Sequence, residues 1–370
     1  MAGIYIHIPY CKKKCSYCNF FMSTCLKSKE DLISAEIKEL KLQKKYVNDE
    51  IINTIYFGGG TPSLLDPNEI NLYIETINKN YKVSKNVEIT LECNPEDINI
   101  NKLKLLKELG INRLSIGIQT FNEKLIKFLN RSNSINDIYI CLENIKKCNF
   151  NNFNIDLIFG IQNETKNDLI YDLEKIISFN PTHISCYCLT IEPKTLLNYK
   201  IENNLLKETN EDILADQFEY IHEFLTNNGY IHYEISNYCK PNYESKHNSS
   251  YWNDEIYLGI GPSAHSYNRI SRQFNTENIY NYINSINQNN ITADIETLTE
   301  KDKINDYIFT HLRTNKGIDL NLLKNKYNYT IKKNLLKSYN EQYLNIVNNK
   351  VILTLKGMLI SNMIIKEIFL

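Results

Sequence analysis

The densest chemistry in the chain lies in residues 4–20, IYIHIPYCKKKCSYCNF, where Cys11, Cys15 and Cys18 stand at C-x3-C-x2-C spacing. They follow a run rich in β-formers, Ile4, Tyr5, Ile6 and Ile8, which reads as a first strand. Pro9 and the Lys12-Lys13-Lys14 run end that strand and open a loop. Three thiolates on one short loop can converge on a soft metal centre; four would close a zinc or iron–sulfur site, and three leave a position for a ligand that is not protein. Three other readings stay open on spacing alone. A disulfide framework needs an oxidising compartment, and residues 1–10 lack the charged start of a secretory leader. A catalytic zinc site would recruit a further ligand elsewhere, and a chance grouping is available to a chain with 10 cysteines.

These thiols need elements to position them. The 370 residues allow one large domain with a small one, or two to three domains, and 42% hydrophobic residues suffice for a substantial core. A formal net charge of -1 gives no electrostatic case for nucleic acid binding. No apolar run reaches the roughly 18 residues of a membrane span, so any membrane contact is expected to be peripheral. The tail MLISNMIIKEIFL is broken by Ser361, Asn362, Lys366 and Glu367 and reads as a core helix.

Down the chain, strand-like runs alternate with helical ones. The strands are the first run, INTIYF, VEITLEC, RLSIGIQ, NFNIDLIFG and HISCYCL. Between them lie helical stretches. One opens at Ser28 with Asp31 in capping-box spacing; another opens at Asp66-Pro67-Asn68-Glu69; a third is stopped by Gly110. Six such units argue parallel strands with crossover helices: an α/β fold, as a partial (βα)6 TIM-like barrel or, as the runner-up, an open doubly wound sheet. A helix over 211–228 ends at Gly229, and HYEISNY reads as a further strand. Residues 239–275 read as loop-rich. From Leu298 the pattern is helix (capped by Thr299), helix over 317–327, helix over 330–346, then strand, turn and helix: a small helical, winged-helix-like domain. The expected division is a barrel domain over 1–235, a connecting segment over 236–297 and a C-terminal domain over 298–370.

Strand ends are where parallel α/β folds gather function. Gly58-Gly59-Gly60-Thr61-Pro62 follows the second strand and lets backbone approach a ligand. Glu92 and Asp156 are acids in apolar strand contexts, so each must meet water, a ligand or a base, a structural salt bridge included.

C-x3-C-x-aromatic-C after a first strand resembles the signature of radical S-adenosylmethionine (radical SAM) proteins. There the three cysteines hold three irons of a [4Fe–4S] cluster, and the amino and carboxylate groups of SAM chelate the fourth. The resemblance implies the (βα)6 partial barrel and assigns Cys11, Cys15 and Cys18 to the cluster. GGGTP is similar to the family's segment for the SAM amino group, here Gly59, Gly60 and Thr61. Along nearly its whole length the chain resembles the oxygen-independent coproporphyrinogen III oxidase-like family. That likeness places Tyr5, Tyr17, Glu92, Gln119, Arg131 and Asp156 at SAM-contacting positions, with Arg131 suited to the SAM carboxylate. It marks no residue as catalytic.

The family has two branches. True oxidases carry one more cysteine where this chain has Phe20, and a substantial N-terminal extension where here the first cluster cysteine is residue 11. The haem-chaperone branch is marked by H-N-x-x-Y-W, present as His247-Asn248-Ser249-Ser250-Tyr251-Trp252. It implies haem contact through His247, Tyr251 and Trp252, with His265 a second candidate axial ligand. His7, on the first strand, reads as structural or near the cluster. The implied function is a cytoplasmic haem chaperone that delivers haem to membrane haemoproteins of the respiratory chain, with a homodimer allowed. The alternatives are a radical SAM coproporphyrinogen oxidase and a zinc-site scaffold.

Overall fold

In a computed structural model of the chain, residues 1–332, 336, 339 and 341–370 are described. The expected strands form as β1 (Ala2–Ile8), β2 (Ile52–Gly59), β3 (Val83–Cys93), β4 (Arg113–Gln119), β5 (Phe153–Phe159) and β6 (His183–Cys188). They lie side by side in chain order, each parallel to the next. Parallel neighbours require crossovers, and these include helices α1 (Lys29–Leu42), α2 (Pro67–Asn80) and α3 (Ile100–Glu108). Between the later strands come α4 (Glu123–Phe128), α5 (Ile135–Lys147) and α6 (Lys166–Phe179). This is the partial barrel of six βα units.

Residues alternate along each strand. Ile4, Ile6 and Ile8 join Leu32 and Leu40 of α1 in the main apolar cluster. Between them, Tyr5 and His7 hydrogen-bond to one another (3.1 Å). Asp66 and Glu69 close a capping box with Pro67 in the first turn of α2. Ser28 does not cap α1: its hydroxyl pairs with Tyr10 Oη at 3.0 Å instead.

The loop-rich reading of 239–275 is corrected. After α7 (Leu196–Glu202), α8 (Glu211–Asn227), β7 (Ile231–Glu234) and β8 (Asn237–Cys239), the segment forms α9 (Lys246–Trp252), β9 (Ile256–Ile260), β10 (His265–Tyr267) and β11 (Ser271–Asn275). β9 runs parallel to β1 and continues the sheet on its far side, with β10 and β11 antiparallel beyond it. β8 and β7 extend the other edge. Short strands broken by Gly261 and Asn268 carry too little periodicity to be read alone; pairing with a strand more than 200 residues away defines them. Two buried acids of α1 tie its neighbours down, Glu39 holding this return and Glu36 holding α2. Glu39 accepts from Gly261 N (2.9 Å), Asn275 Nδ2 (2.9 Å) and the Tyr282 hydroxyl, and Glu36 accepts from the Tyr73 hydroxyl.

The C-terminal residues build a second apolar cluster around Ile308, Leu323, Val351 and Ile364. Helices Glu300–Leu312, Leu320–Tyr327, Leu355–Leu359 and Ser361–Ile368 surround an antiparallel sheet of Ile318–Asp319, Lys350–Leu353 and Leu344–Val347. The helix expected over 330–346 falls partly on 333–335, 337, 338 and 340, outside the described residues. Its last part is strand, because Leu344–Val347 pairs with Lys350–Leu353 across a tight turn. Among the described residues no helix is long and apolar enough to cross a membrane.

Candidate cofactor site

The cysteine loop is clamped at the carboxyl ends of the strands. Ser16 N–H donates to Leu129 O (2.9 Å), Leu197 N–H to Ser16 O (3.0 Å) and Asn130 Nδ2 to Lys14 O (2.9 Å). Lys12 pairs with Asp97. His7 ties β1 to the loop. Its Nε2 lies 3.0 Å from Phe21 O, which can only accept, so Nδ1 accepts from the Tyr5 hydroxyl. Burial pushes His7 down to about 4, keeping the ring neutral.

The glycines serve close backbone approach, first of all to β1. Gly60 N–H donates to Ile8 O and Thr61 N–H to Tyr10 O, both at 2.8 Å. A Cβ on Gly60 would stand 2.8 Å from Tyr10 O. This approach carries the Thr61 hydroxyl to 3.2 Å from Cys11 Sγ. Arg131 reaches the loop from the other side. Its guanidinium donates to Asn133 Oδ1 (3.1 Å), Asn94 Oδ1 (3.0 Å) and Gly117 O, and faces Tyr17 Oη (3.5 Å) and Cys15 Sγ (4.0 Å). Burial pushes the Cys11 thiol up to about 11 against the Thr61 hydrogen bond, and raises Cys18 likewise. Soft thiolate donors beside a guanidinium and a hydroxyl donor fit a negatively charged iron–sulfur cluster.

Glu92 accepts from Tyr56 Oη (2.7 Å) and from Gly59 N (3.2 Å). Burial pushes its carboxyl up to about 7; the Tyr56 bond opposes this and Asp156 adds to it. Asp156 is also raised by burial, with the Asn154 amide at 2.6 Å opposing. Neither acid has a salt bridge within 4 Å among the described residues, but the Arg113 charge lies near enough to oppose the rise of both. Gln119 adopts φ 71°, a left-handed conformation costly for a side chain with a Cβ, beside a register shift in β4. A Cβ on Gly117 would meet Gln119 Nε2 at 3.1 Å and Arg131 Nη2 at 3.4 Å, so these two candidates share one spot. Tyr5 stacks on Tyr56 at 6.1 Å. Phe20 stands 71% exposed beside the loop.

The H-N-x-x-Y-W motif forms α9, whose first turn is held by Glu88 accepting from His247 N at 3.1 Å. His247 is 2% exposed, stacks on Tyr56 (4.9 Å) and uses both ring nitrogens, Nδ1 with Thr54 Oγ1 (2.7 Å) and Nε2 with Tyr251 Oη (2.9 Å). An axial ligand needs a free nitrogen lone pair, so in this conformation His247 packs, and ligating haem would require it to give up one of these bonds. Tyr251 shares that packing, and Trp252 Nε1 is buried without a partner. His265 differs: it is exposed, edge-on to Phe274 at 4.7 Å, and its ring makes no hydrogen bond among the described residues.

Tyr5, Tyr56, Glu92, His247 and Tyr251 line one cavity of about 210 Å³ inside the barrel, below the drug-sized range of about 300–1,000 Å³. Its other wall carries Arg113, Ser115, Asn154, His183, Ser185 and Asn237, which sequence reasoning passed over. A signal existed: β4, β5 and β6 place polar residues two apart, where strands covered on both faces read as continuous apolar runs.

A polar-cored partial barrel with three cysteines on the loop after its first strand defines a radical SAM protein, and residues 5–176 match the Radical SAM superfamily. Within it, the chain belongs to the family of the curated proteins named heme chaperone HemW. It is 36% identical over 361 residues to the one from Buchnera aphidicola subsp. Schizaphis graminum, covering 91% of this chain and 92% of that protein. The Bacillus subtilis protein is 32% identical over 98% of this chain and 97% of its own, and the Escherichia coli protein 35% over 71% and 69%. The solved structure of coproporphyrinogen III oxidase (HemN) from Escherichia coli superposes with a TM-score of 0.84 at 22% identity, covering 99% of this chain and 89% of that one, a likeness of fold.

Proposed function

We propose that the chain is a haem chaperone. It binds haem, carries a SAM-ligated [4Fe–4S] cluster on Cys11, Cys15 and Cys18, and delivers haem to membrane haemoproteins of the respiratory chain. The observation that carries this reading is the 36% identity to a heme chaperone HemW over 91% of the chain. The cluster supplies one-electron chemistry and an open iron for SAM. Tyr5, Tyr17, Gly59, Gly60, Thr61, Glu92, Gln119, Arg131 and Asp156 hold SAM there, Arg131 taking its carboxylate as a fixed fork. Each cysteine of such a cluster binds its own iron; among the described residues no three His, Cys, Asp or Glu side chains are arranged around a single ion. SAM and the cluster assist transfer, by gating it or by dimerisation. The protein works in the cytoplasm and touches the membrane peripherally.

Haem takes His265 as its axial ligand, because that ring is exposed and unbonded while His247 is neither. The test is a Soret titration of anaerobically reconstituted wild type, His265→Ala and His247→Ala. In parallel, coproporphyrinogen III, SAM and a reductant are supplied and protoporphyrinogen is sought. Haem binding weakened at least tenfold by His265→Ala, without decarboxylation, is expected. Decarboxylation with haem binding absent overturns the reading in favour of the oxidase.

A further inference from the structure

Beyond β11 the sheet ends at β12 (Ala293–Thr297), which has no further neighbour among the described residues. β12 pairs antiparallel with β11, and two bonds fix its parity: Thr276 N–H donates to Thr292 O (3.1 Å), and Leu298 N–H to Ile270 O (2.9 Å). Even-numbered residues therefore turn their N–H and C=O towards β11, and those of Ala293, Ile295 and Thr297 point outwards. They meet no protein group among the described residues. Residues 294–297 are all exposed, Ile295 at 69%. Such a row of free backbone groups is a template for one more strand. The side chains restrict which strand. Asp294 stands opposite Phe274, and Phe274 opposite His265, so the three lie in one row on one face. Neighbouring strands are about 4.8 Å apart, which puts this edge about 10 Å from the proposed haem ligand. Glu296 shares that face; Arg272 answers it at 3.2 Å but is divided with Asp306, and Asp294 has no ion pair among the described residues. A second copy pairing symmetrically about Ile295 would set Asp294 directly against Glu296 of the other copy, a repulsive pair made twice.

We infer that β12 docks an extended basic segment of a client haemoprotein, added to the sheet as a further strand. Lys or Arg of that segment stands opposite Asp294 and Glu296, and an apolar residue opposite Ile295. The inference rests on the chaperone reading. Cytoplasmic loops of membrane proteins carry an excess of Lys and Arg, so a membrane client offers such a segment to a chaperone working in the cytoplasm. Docking there lays the client alongside His265. The same acids repel a second copy and select a basic strand, so the edge is specific through one pair of charges.

The probe is the fluorescein-labelled peptide GTKVKTG, followed by fluorescence anisotropy on the full chain without haem, with GTEVETG as its charge-reversed control. Saturable binding of GTKVKTG is expected, with GTEVETG at least tenfold weaker. Ile295→Pro removes one outward N–H at an edge position that accepts proline, so it keeps the fold and weakens the peptide at least tenfold. Asp294→Lys weakens it at least fivefold. The inference is overturned if GTKVKTG does not bind, if GTEVETG matches it, or if Ile295→Pro, with wild-type circular dichroism and melting temperature, binds as wild type does. A dimer in sedimentation that Ile295→Pro dissolves overturns it too, because the edge then belongs to a second copy. The two peptides and Asp294→Lys decide the matter even if Ile295→Pro fails to fold. The Soret titration separates the two readings: haem binding without peptide binding sinks this inference alone, and peptide binding without haem binding sinks the chaperone reading while the basic-strand dock stands.

Discussion

Replacing His247 by alanine separates a packing residue from a waiting haem ligand. The substitution deletes hydrogen bonds to Thr54 (2.7 Å) and Tyr251 (2.9 Å) and the stack on Tyr56 at 4.9 Å. Each net hydrogen bond contributes about 0.5–1.5 kcal/mol, and a stranded buried hydroxyl costs about 1–3 more. The Thr54 hydroxyl is such a group, since Thr54 is 3% exposed. With about 0.5–1.5 for the ring pair, the loss comes to about 2.5–7.5 kcal/mol at pH 7.5. Acid should shrink that loss. Burial first, and then the Arg113 charge, push His247 down to about 3. Below its ordinary value of about 6.5 the unfolded chain takes a proton that the folded chain refuses, so the wild-type contribution is whole above that pH and erodes towards pH 3. At pH 4.5 the gap to His247→Ala narrows by about 2–3 kcal/mol. The assay is anaerobic urea unfolding of the chain without cluster or haem, followed by circular dichroism and by fluorescence of Trp252, the single tryptophan, five residues along α9. His265→Ala, at an exposed ring, serves as control and stays within about 0.5 kcal/mol of wild type. A wild-type midpoint for His247→Ala at pH 7.5, or a gap that does not change with pH, refutes the packing account.

Three further outcomes follow from particular contacts. Glu164 accepts from Gly160 N and Gln217 Nε2, both at 2.9 Å, and burial pushes its carboxyl up to about 8. Folding therefore favours its neutral form, stability falls as pH rises through 8, and Glu164→Gln gains about 4 kcal/mol on wild type between pH 4.5 and 9 in urea unfolding. Gly60→Ala drives a methyl into the backbone of Pro9 and Tyr10, contacts of 2.8–2.9 Å that cannot yield, so iron and acid-labile sulfide per reconstituted chain fall by more than half. Tyr56→Phe removes the 2.7 Å hydrogen bond that holds Glu92 ionised; SAM affinity measured by dialysis drops about tenfold at pH 7 and recovers by pH 9.

The barrel was readable because its period-2 and period-3.6 runs are long and punctuated by residues whose geometry is restrictive. Asp66-Pro67 opens α2, and Gly110 at φ 92° closes the helix before β4. Ser28 shows the limit of local reading. Its spacing to Asp31 suits a capping box, yet the hydroxyl goes to Tyr10, a partner 18 residues away that no local pattern specifies. The glycines after β2 were legible as a close approach, but the first surface approached is the end of β1. His247 was legible as a motif, but its environment was not: Thr54 is 193 residues distant, and only the folded sheet brings the two together.

That long-range meeting has a consequence for how ligand sites in this protein can communicate. α9 is capped by Glu88 of β3 and wedges His247 between Thr54 and Tyr251, against Tyr56. Tyr56 in turn donates to Glu92, and Glu92 receives Gly59 N–H, two residues before the threonine that touches Cys11. An unbroken chain of packed and hydrogen-bonded groups thus runs from the H-N-x-x-Y-W helix to the cysteine loop. Freeing a ring nitrogen of His247 for a ligand must break at least one of its hydrogen bonds and shift the ring against Tyr56, which disturbs the carboxylate at Glu92. A cargo bound through His247 would therefore change SAM affinity, and by reciprocity SAM would change the cargo's. A cargo bound at His265, on the antiparallel extension beyond β9, breaks none of these contacts and should change SAM affinity less. The sign and size of that coupling consequently report which histidine the cargo uses.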